Sequence, residues 1–221
     1  MEGKMINDPL KPNVLGVKLI PNVDDKMAEE LNLPAGYKSI GIVTADCDDV
    51  TYTALDQATK MAEVTVVYGK SFYGGAANAN TKLAGEVIGI IAGPTPAEVR
   101  SGLNAIVDFI ENEACFYSAN EDDTIAYYAH CVSRTGSYLS KTAGVEEGEA
   151  LAYLIAPPIE AMYALDAALK AADVTLTAFF GPPSETNFGG GLLTGSQSAC
   201  KAACEAFADA VKFVAQNPTK Y

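Results

Sequence analysis

Residues 44–52 read TADCDDVTY, which sets three carboxylates, Asp46, Asp48 and Asp49, within four residues where an apolar strand-like run gives way to a helix-like one. Carboxylates crowded at such a turn can do three things. They can attract a small cation, and the chain's formal net charge of −13 favours that. Together with Glu86, Asp46 and Asp48 can act as the acid–base groups of an enzyme. Or Asp48 or Asp49 caps the following helix while its neighbours complement the helix dipole, which requires no ligand at all.

Other reactive residue types give weaker signals. The single histidine, His130, adjoins Cys131 in YYAHCV. Adjacent residues of a strand point to opposite faces, so the two cannot work together as base and nucleophile. Cys200 and Cys204 have the i, i+4 spacing of a shared metal on a helix, yet no second ligand pair accompanies them, and a small-residue helix face is the better account. Five scattered cysteines predict reduced thiols and no disulfide. FGGGLLTG lacks the Gly-Lys-Ser/Thr ending of a phosphate loop, and neither a dinucleotide fingerprint nor a Gly-x-Ser-x-Gly elbow occurs.

Composition excludes further classes. At 49% hydrophobic and 19% charged residues, the 221-residue chain is globular rather than disordered. Its acidity argues against a nucleic-acid partner. No run approaches the roughly 18 apolar residues of a membrane span, and MEGKMINDPLKPN has no apolar signal-peptide core, so no membrane partner and a cytoplasmic location are expected.

The elements that must position the acidic turn are written twice. Residues 53–67 and 163–177 align at a constant offset of 110 with eight identities in fifteen: Ala54, Leu55, Asp56, Ala58, Lys60, Ala62, Val64 and Thr65 meet Ala164, Leu165, Asp166, Ala168, Lys170, Ala172, Val174 and Thr175. The flanks repeat too. SIGIVTA (39–45) precedes the first copy as ALAYLIA (150–156) precedes the second, and 14–20 and 125–132 are strand-like runs near the same offset. Each half therefore reads strand, short helix, strand, helix, strand, strand, helix. Asp48 or Asp49 is expected to cap a helix through Lys60, Thr95-Pro96 to open a helix over 97–112, and Ser196 or Ser198 to cap a last helix reaching Gln216. The Gly/Asn-rich connector 68–86 carries no helical pattern, so the strands it joins should be antiparallel. Two α+β domains follow, 1–114 and 115–221.

Longer segments carry a resemblance. TADCDDVTY, VVYGKSFYGGAA, AGEV, VSRTGSYLSKTAG, APPIEA and PPSETN, spread over residues 15–217, resemble the bacterial microcompartment shell proteins, specifically their tandem-domain, trimeric ethanolamine-utilisation type. The resemblance implies two circularly permuted BMC (ferredoxin-like) domains, each an antiparallel sheet flanked by helices. It implies a non-enzymatic homotrimer that mimics a hexagonal tile, packs edge to edge with other shell proteins, and sits in a microcompartment shell in the cytoplasm.

It also implies sites. A small pore within each subunit should bind or pass ethanolamine, a cationic amine, through Asp46, Asp48, Asp49, Glu86, Phe116, Glu185 and Thr186, with Asp48 and Glu86 as ion-pair partners and Thr186 as a hydroxyl contact. A gated central pore on the trimer axis should be built from Ser71, Phe72, Tyr73, Gly74, Gly75, Pro182, Pro183, Ser184, Asn187 and Phe188. No metal or cofactor is required; cobalamin, too bulky for a subunit pore, is expected at or through the axis. Two other readings stand beside this one: a small-ligand sensor built on duplicated α+β domains, and an amine-transforming enzyme using Asp46, Asp48 and Glu86.

Overall fold

The computed structural model describes residues 6–72, 85–184 and 186–220. Its first half runs β2 (Val14–Ile20), α1 (Asp25–Glu30), β3 (Ser39–Ala45), α2 (Asp48–Met61), β4 (Thr65–Phe72), β5 (Glu86–Gly93) and α3 (Pro96–Asp108). The second repeats that order as β7 (Ala126–Val132), α4 (Ser137–Ala143), β8 (Ala150–Ala156), α5 (Pro158–Ala171), β9 (Val174–Phe180), β10 (Gly189–Gly195) and α6 (Gln197–Gln216). The sheets match as well: β2-β3-β5-β4 in one and β7-β8-β10-β9 in the other, all antiparallel.

Two short strands break the symmetry. β1 (Pro9–Leu10) pairs with β6 (Phe116–Ser118), and both extend the second sheet. The chain's first strand thus completes the sheet of the half that begins after residue 114.

Local chemistry explains most helix starts. Thr95 accepts a hydrogen bond from the Glu98 N–H with Pro96 in the first turn, and Ser196 accepts one from Ala199. α3 ends at Asp108, short of the expected 112, because residues Phe109–Glu113 widen into a π turn. The expected cap of α2 is also corrected. Cys47 holds the cap position and makes no side-chain cap bond, while Asp48 and Asp49 lie one and two residues inside the helix.

The core forms layers. α1 and its flanks cover the outer face of the first sheet over Ile40, Ile90 and Ala92. α2 and α3 fill the space between the sheets, so Leu55, Ile91 and Ile106 share one apolar cluster with Tyr128, Leu151, Tyr153 and Leu192. α5 and α6 cover the far face of the second sheet over Ala152, Leu154 and Leu193, with Phe207 of α6 packed into the same cluster. Burial of this apolar surface on both faces of the second sheet is the main drive to fold.

A polar seam locks the halves together. Asp56, fully buried on α2, accepts the N–H groups of Gly136 and Leu139 at 2.8 Å each, and so caps α4, whose own cap position, Gly136, offers no side chain. Lys60 lies 3.2 Å from the same carboxylate and donates to the Arg134 carbonyl, while Thr59 accepts the Ser137 N–H. The helices pass so closely here that a Cβ at Gly136 would fall 2.7 Å from the Asp56 carbonyl oxygen, so only glycine fits.

Candidate functional site

Between the halves lies a cavity of about 290 Å³. α2 supplies Asp48, Asp49 and Tyr52, and β4 supplies Gly69 and Ser71. From the second half come Tyr138, Leu139 and Thr142 of α4, Tyr153 and Ile155 of β8, and Phe180 of β9. The loop after β9 closes it with Ser184, Thr186 and Phe188. These residues converge because α2 is sandwiched between the sheets, with its N-terminal turn aimed at the inner face of the second.

The two aspartates are buried, 4% and 6% exposed. Asp48 accepts hydrogen bonds from the Asp49 N–H at 2.9 Å and the Ser71 hydroxyl at 2.6 Å, and the Tyr52 hydroxyl reaches the same serine at 2.6 Å. Asp49 accepts from Tyr153 at 2.8 Å. Burial pushes the Asp48 carboxyl up to about 6, against the opposing pull of these donors. Asp49 is raised well above the usual carboxylate range, by burial first and then by the charge of Asp48. Asp48 is thus the carboxyl of the pair that ionises first, and its charge in turn opposes ionisation of Asp49. Such a site suits a small monovalent cation with a polar tail, for which Thr142, Ser184 and Thr186 offer hydroxyls.

The residues singled out from sequence divide. Asp48, Asp49 and Thr186 line the cavity, joined by Ser71, Ser184 and Phe188, which had been assigned to the axial loops. Asp46 does not line it: its carboxylate accepts from the Asn13 backbone and side-chain amides at 2.6 and 2.7 Å and ties β2 to the turn. Phe116 does not line it either, being fully buried and stacked on Tyr128 with Phe188 edge-on. Glu86 opens β5 opposite Phe72. Its neighbour Gly85 packs so closely on the Thr186 methyl that an added Cβ would come within 2.9 Å, which puts Glu86 one residue from the rim. Phe72 ends β4, while Pro182, Pro183 and Asn187 belong to the loop between β9 and β10. Tyr73, Gly74, Gly75 and Glu185 lie outside the described residues.

Sequence reasoning missed the aromatic wall of Tyr52, Tyr138, Tyr153 and Phe180. One signal was available: a buried tyrosine needs a partner for its hydroxyl, and Tyr153, in the middle of an entirely apolar strand, finds Asp49. His130 packs its ring on Tyr128 and Phe109, and burial lowers its pKa to about 4, whereas the Cys131 thiol reaches the Gln197 carbonyl. The two face apart, as the strand alternation predicts. All five cysteines are free.

Within this duplicated fold, residues 39–120 match the family model described as the BMC domain. The bacterial microcompartment shell protein EutL of Clostridium perfringens is 72% identical over 214 residues, covering 97% of this chain and 99% of the relative. Its counterpart from Escherichia coli is 54% identical, covering 96% of each. The crystal structure of ethanolamine utilization protein EutL from Leptotrichia buccalis superposes with a TM-score of 0.94 at 79% identity, over 98% of this chain and 100% of that one.

The chain belongs to the EutL family of bacterial microcompartment shell proteins. It is a structural component of a microcompartment shell and not an enzyme, built from tandem BMC domains. No helix among the described residues is long and apolar enough to cross a membrane.

Proposed function

We propose that three chains close into a pseudo-hexagonal tile, that the cavity in each subunit binds and passes ethanolamine, and that a gated aperture on the axis admits larger molecules such as cobalamin. The observation that carries the amine reading is the buried Asp48–Asp49 pair at the wall of a cavity furnished with hydroxyls. Ethanolamine has the matching form, one ammonium and one hydroxyl two carbons apart. Asp48 takes the ammonium, Thr186 contacts the hydroxyl, and Glu86 stands next to the rim as a second anion for the approach. The same cavity touches the roots of both axial loops, since Ser71 lies next to the end of β4 and Ser184 to Phe188 lie between β9 and β10. Filling it biases loops that would meet on the axis.

Calorimetric titration tests the amine reading. Wild-type protein should bind ethanolamine saturably at one site per chain, and Asp48→Asn should abolish it. The same substitution should raise the stability of the ligand-free protein. Asp48 is held near 6 in the fold against 3.8 for the free carboxyl, so folding disfavours its charged form. That cost is absent below the unfolded value and complete above about pH 6, and two pKa units correspond to about 3 kcal/mol, so a gain of about 1–3 kcal/mol at pH 7.5 is expected. Retained binding in Asp48→Asn contradicts the assignment.

The pH dependence has a definite sign. Asp48 carries its charge above about pH 6 and loses it below. Ethanolamine remains a cation throughout, so affinity should be flat from pH 7 to 8 and fall up to tenfold per unit below 6. Affinity that rises on acidification would count against the pair as the amine's partner.

A further inference from the structure

Two features of the cavity are left over once ethanolamine is seated. One is volume. About 290 Å³ is several times what a two-carbon amino alcohol fills. The other is the set of rings that lines the cavity beside the acids. Tyr52 and Tyr138 form a tilted pair with centroids 6.3 Å apart, and Tyr153 and Phe180 form another at 6.2 Å. Both pairs border the cavity. The backbone makes room for the first: a Cβ at position 69 would lie 2.8 Å from the Tyr138 hydroxyl, and glycine stands there.

The acids themselves are already engaged. Asp48 accepts from Ser71 and a backbone N–H, and Asp49 from Tyr153, which takes up part of their acceptor capacity. A primary ammonium needs three acceptors. Each methyl on the nitrogen removes one N–H, until a quaternary nitrogen needs no acceptor; it needs a nearby negative charge and aromatic faces, and the acids and rings of this cavity supply both.

We propose that the cavity also takes N-methylated amino alcohols, of which choline is the limiting member, with the methylated nitrogen between the Asp48–Asp49 pair and the Tyr52–Tyr138 rings. The proposal rests on the amine reading above and extends its ligand class. The hydroxyl end keeps the contacts described for ethanolamine, and the methyl groups fill the ring-lined volume that ethanolamine leaves open. Affinity should therefore hold or rise along the series from ethanolamine through its N-methyl and N,N-dimethyl forms to choline.

Calorimetry on the full chain with these four compounds decides it, with competition between choline and ethanolamine as a readout that needs no variant. Choline should bind at one site per chain and displace ethanolamine competitively. Tyr138→Leu should weaken choline about tenfold or more and ethanolamine less, while Tyr138→Phe, which keeps the ring, stays within about threefold for both. Ethanolamine binding without choline binding overturns this inference and leaves the amine reading intact. Binding of neither overturns both. Choline affinity indifferent to Tyr138→Leu overturns the placement against the rings.

Discussion

Asp56→Ala should destabilise the protein by about 3–5 kcal/mol and lower its melting temperature by on the order of 10 °C. The carboxylate is fully buried and serves three groups at once: two N–H groups at the start of α4 and the Lys60 ammonium. Alanine leaves both N–H groups without an acceptor inside the fold, at about 1–3 kcal/mol each, and leaves Lys60, only 18% exposed, without its counter-charge. Because α4 also walls the cavity through Tyr138 and Thr142, the damage should extend to amine binding. Asp209→Ala is the matched control. That carboxylate is 77% exposed in its 2.7 Å pair with Lys212, so its loss should change stability by no more than about 0.5 kcal/mol. Equal melting shifts for the two variants in thermal denaturation would show that Asp56 does not hold the halves together.

The second large effect concerns assembly. α5 repeats α2 at the 110-residue offset, but the register that α2 buries is open on α5. Asp49 and Thr53 of α2 bond Tyr153 and Tyr128 of the second sheet, whereas their counterparts Ile159 and Tyr163 are 64% and 53% exposed, with Tyr163 stacked on the half-exposed Phe213. An apolar face where the repeat has a buried one points to a second copy of the chain as its cover. In the proposed tile its match would be the first sheet, around the half-buried Ile42, Thr44 and Ile88. A contact between unlike faces propagates around a ring, and the proposed tile of three chains would close such a ring. Ile159→Glu with Tyr163→Glu should therefore convert the proposed trimer to folded single chains in sedimentation velocity, with the proposed ethanolamine binding largely kept because the cavity lies within one chain. A double variant that sediments as a trimer would place the interface elsewhere.

Much of this architecture is legible in the residues. The bounds of β2, β3 and β8 coincide with the apolar runs VLGVKLI, SIGIVTA and ALAYLIA, because each run is set off by charged or Pro/Gly-rich neighbours. The repeat gives the order of elements, since Leu-Asp, Lys and Val-Thr recur in register. What escapes is long-range. Pro9 and Leu10 have no strand pattern of their own and are ordered by the edge that β6 offers them. Asp46, Asp48 and Asp49 look alike in TADCDDV, yet Asn13 claims the first while the helix turn buries the other two. Phe116 could not be distinguished from a pore aromatic until the second sheet closed over it. The tyrosines of the cavity sit 86 and 101 residues beyond Tyr52 and meet it only when the halves fold onto each other.

The measurement that tests the central claim most directly is the mass of the purified wild-type protein by multi-angle light scattering. The tile, its axial aperture and the covered face of α5 all require three chains, which at 23.1 kDa each is about 69 kDa. A single species of that mass is the predicted result. A stable 23.1 kDa species at the same concentration would leave Ile159 and Tyr163 uncovered and the axis without an aperture, and would contradict the account.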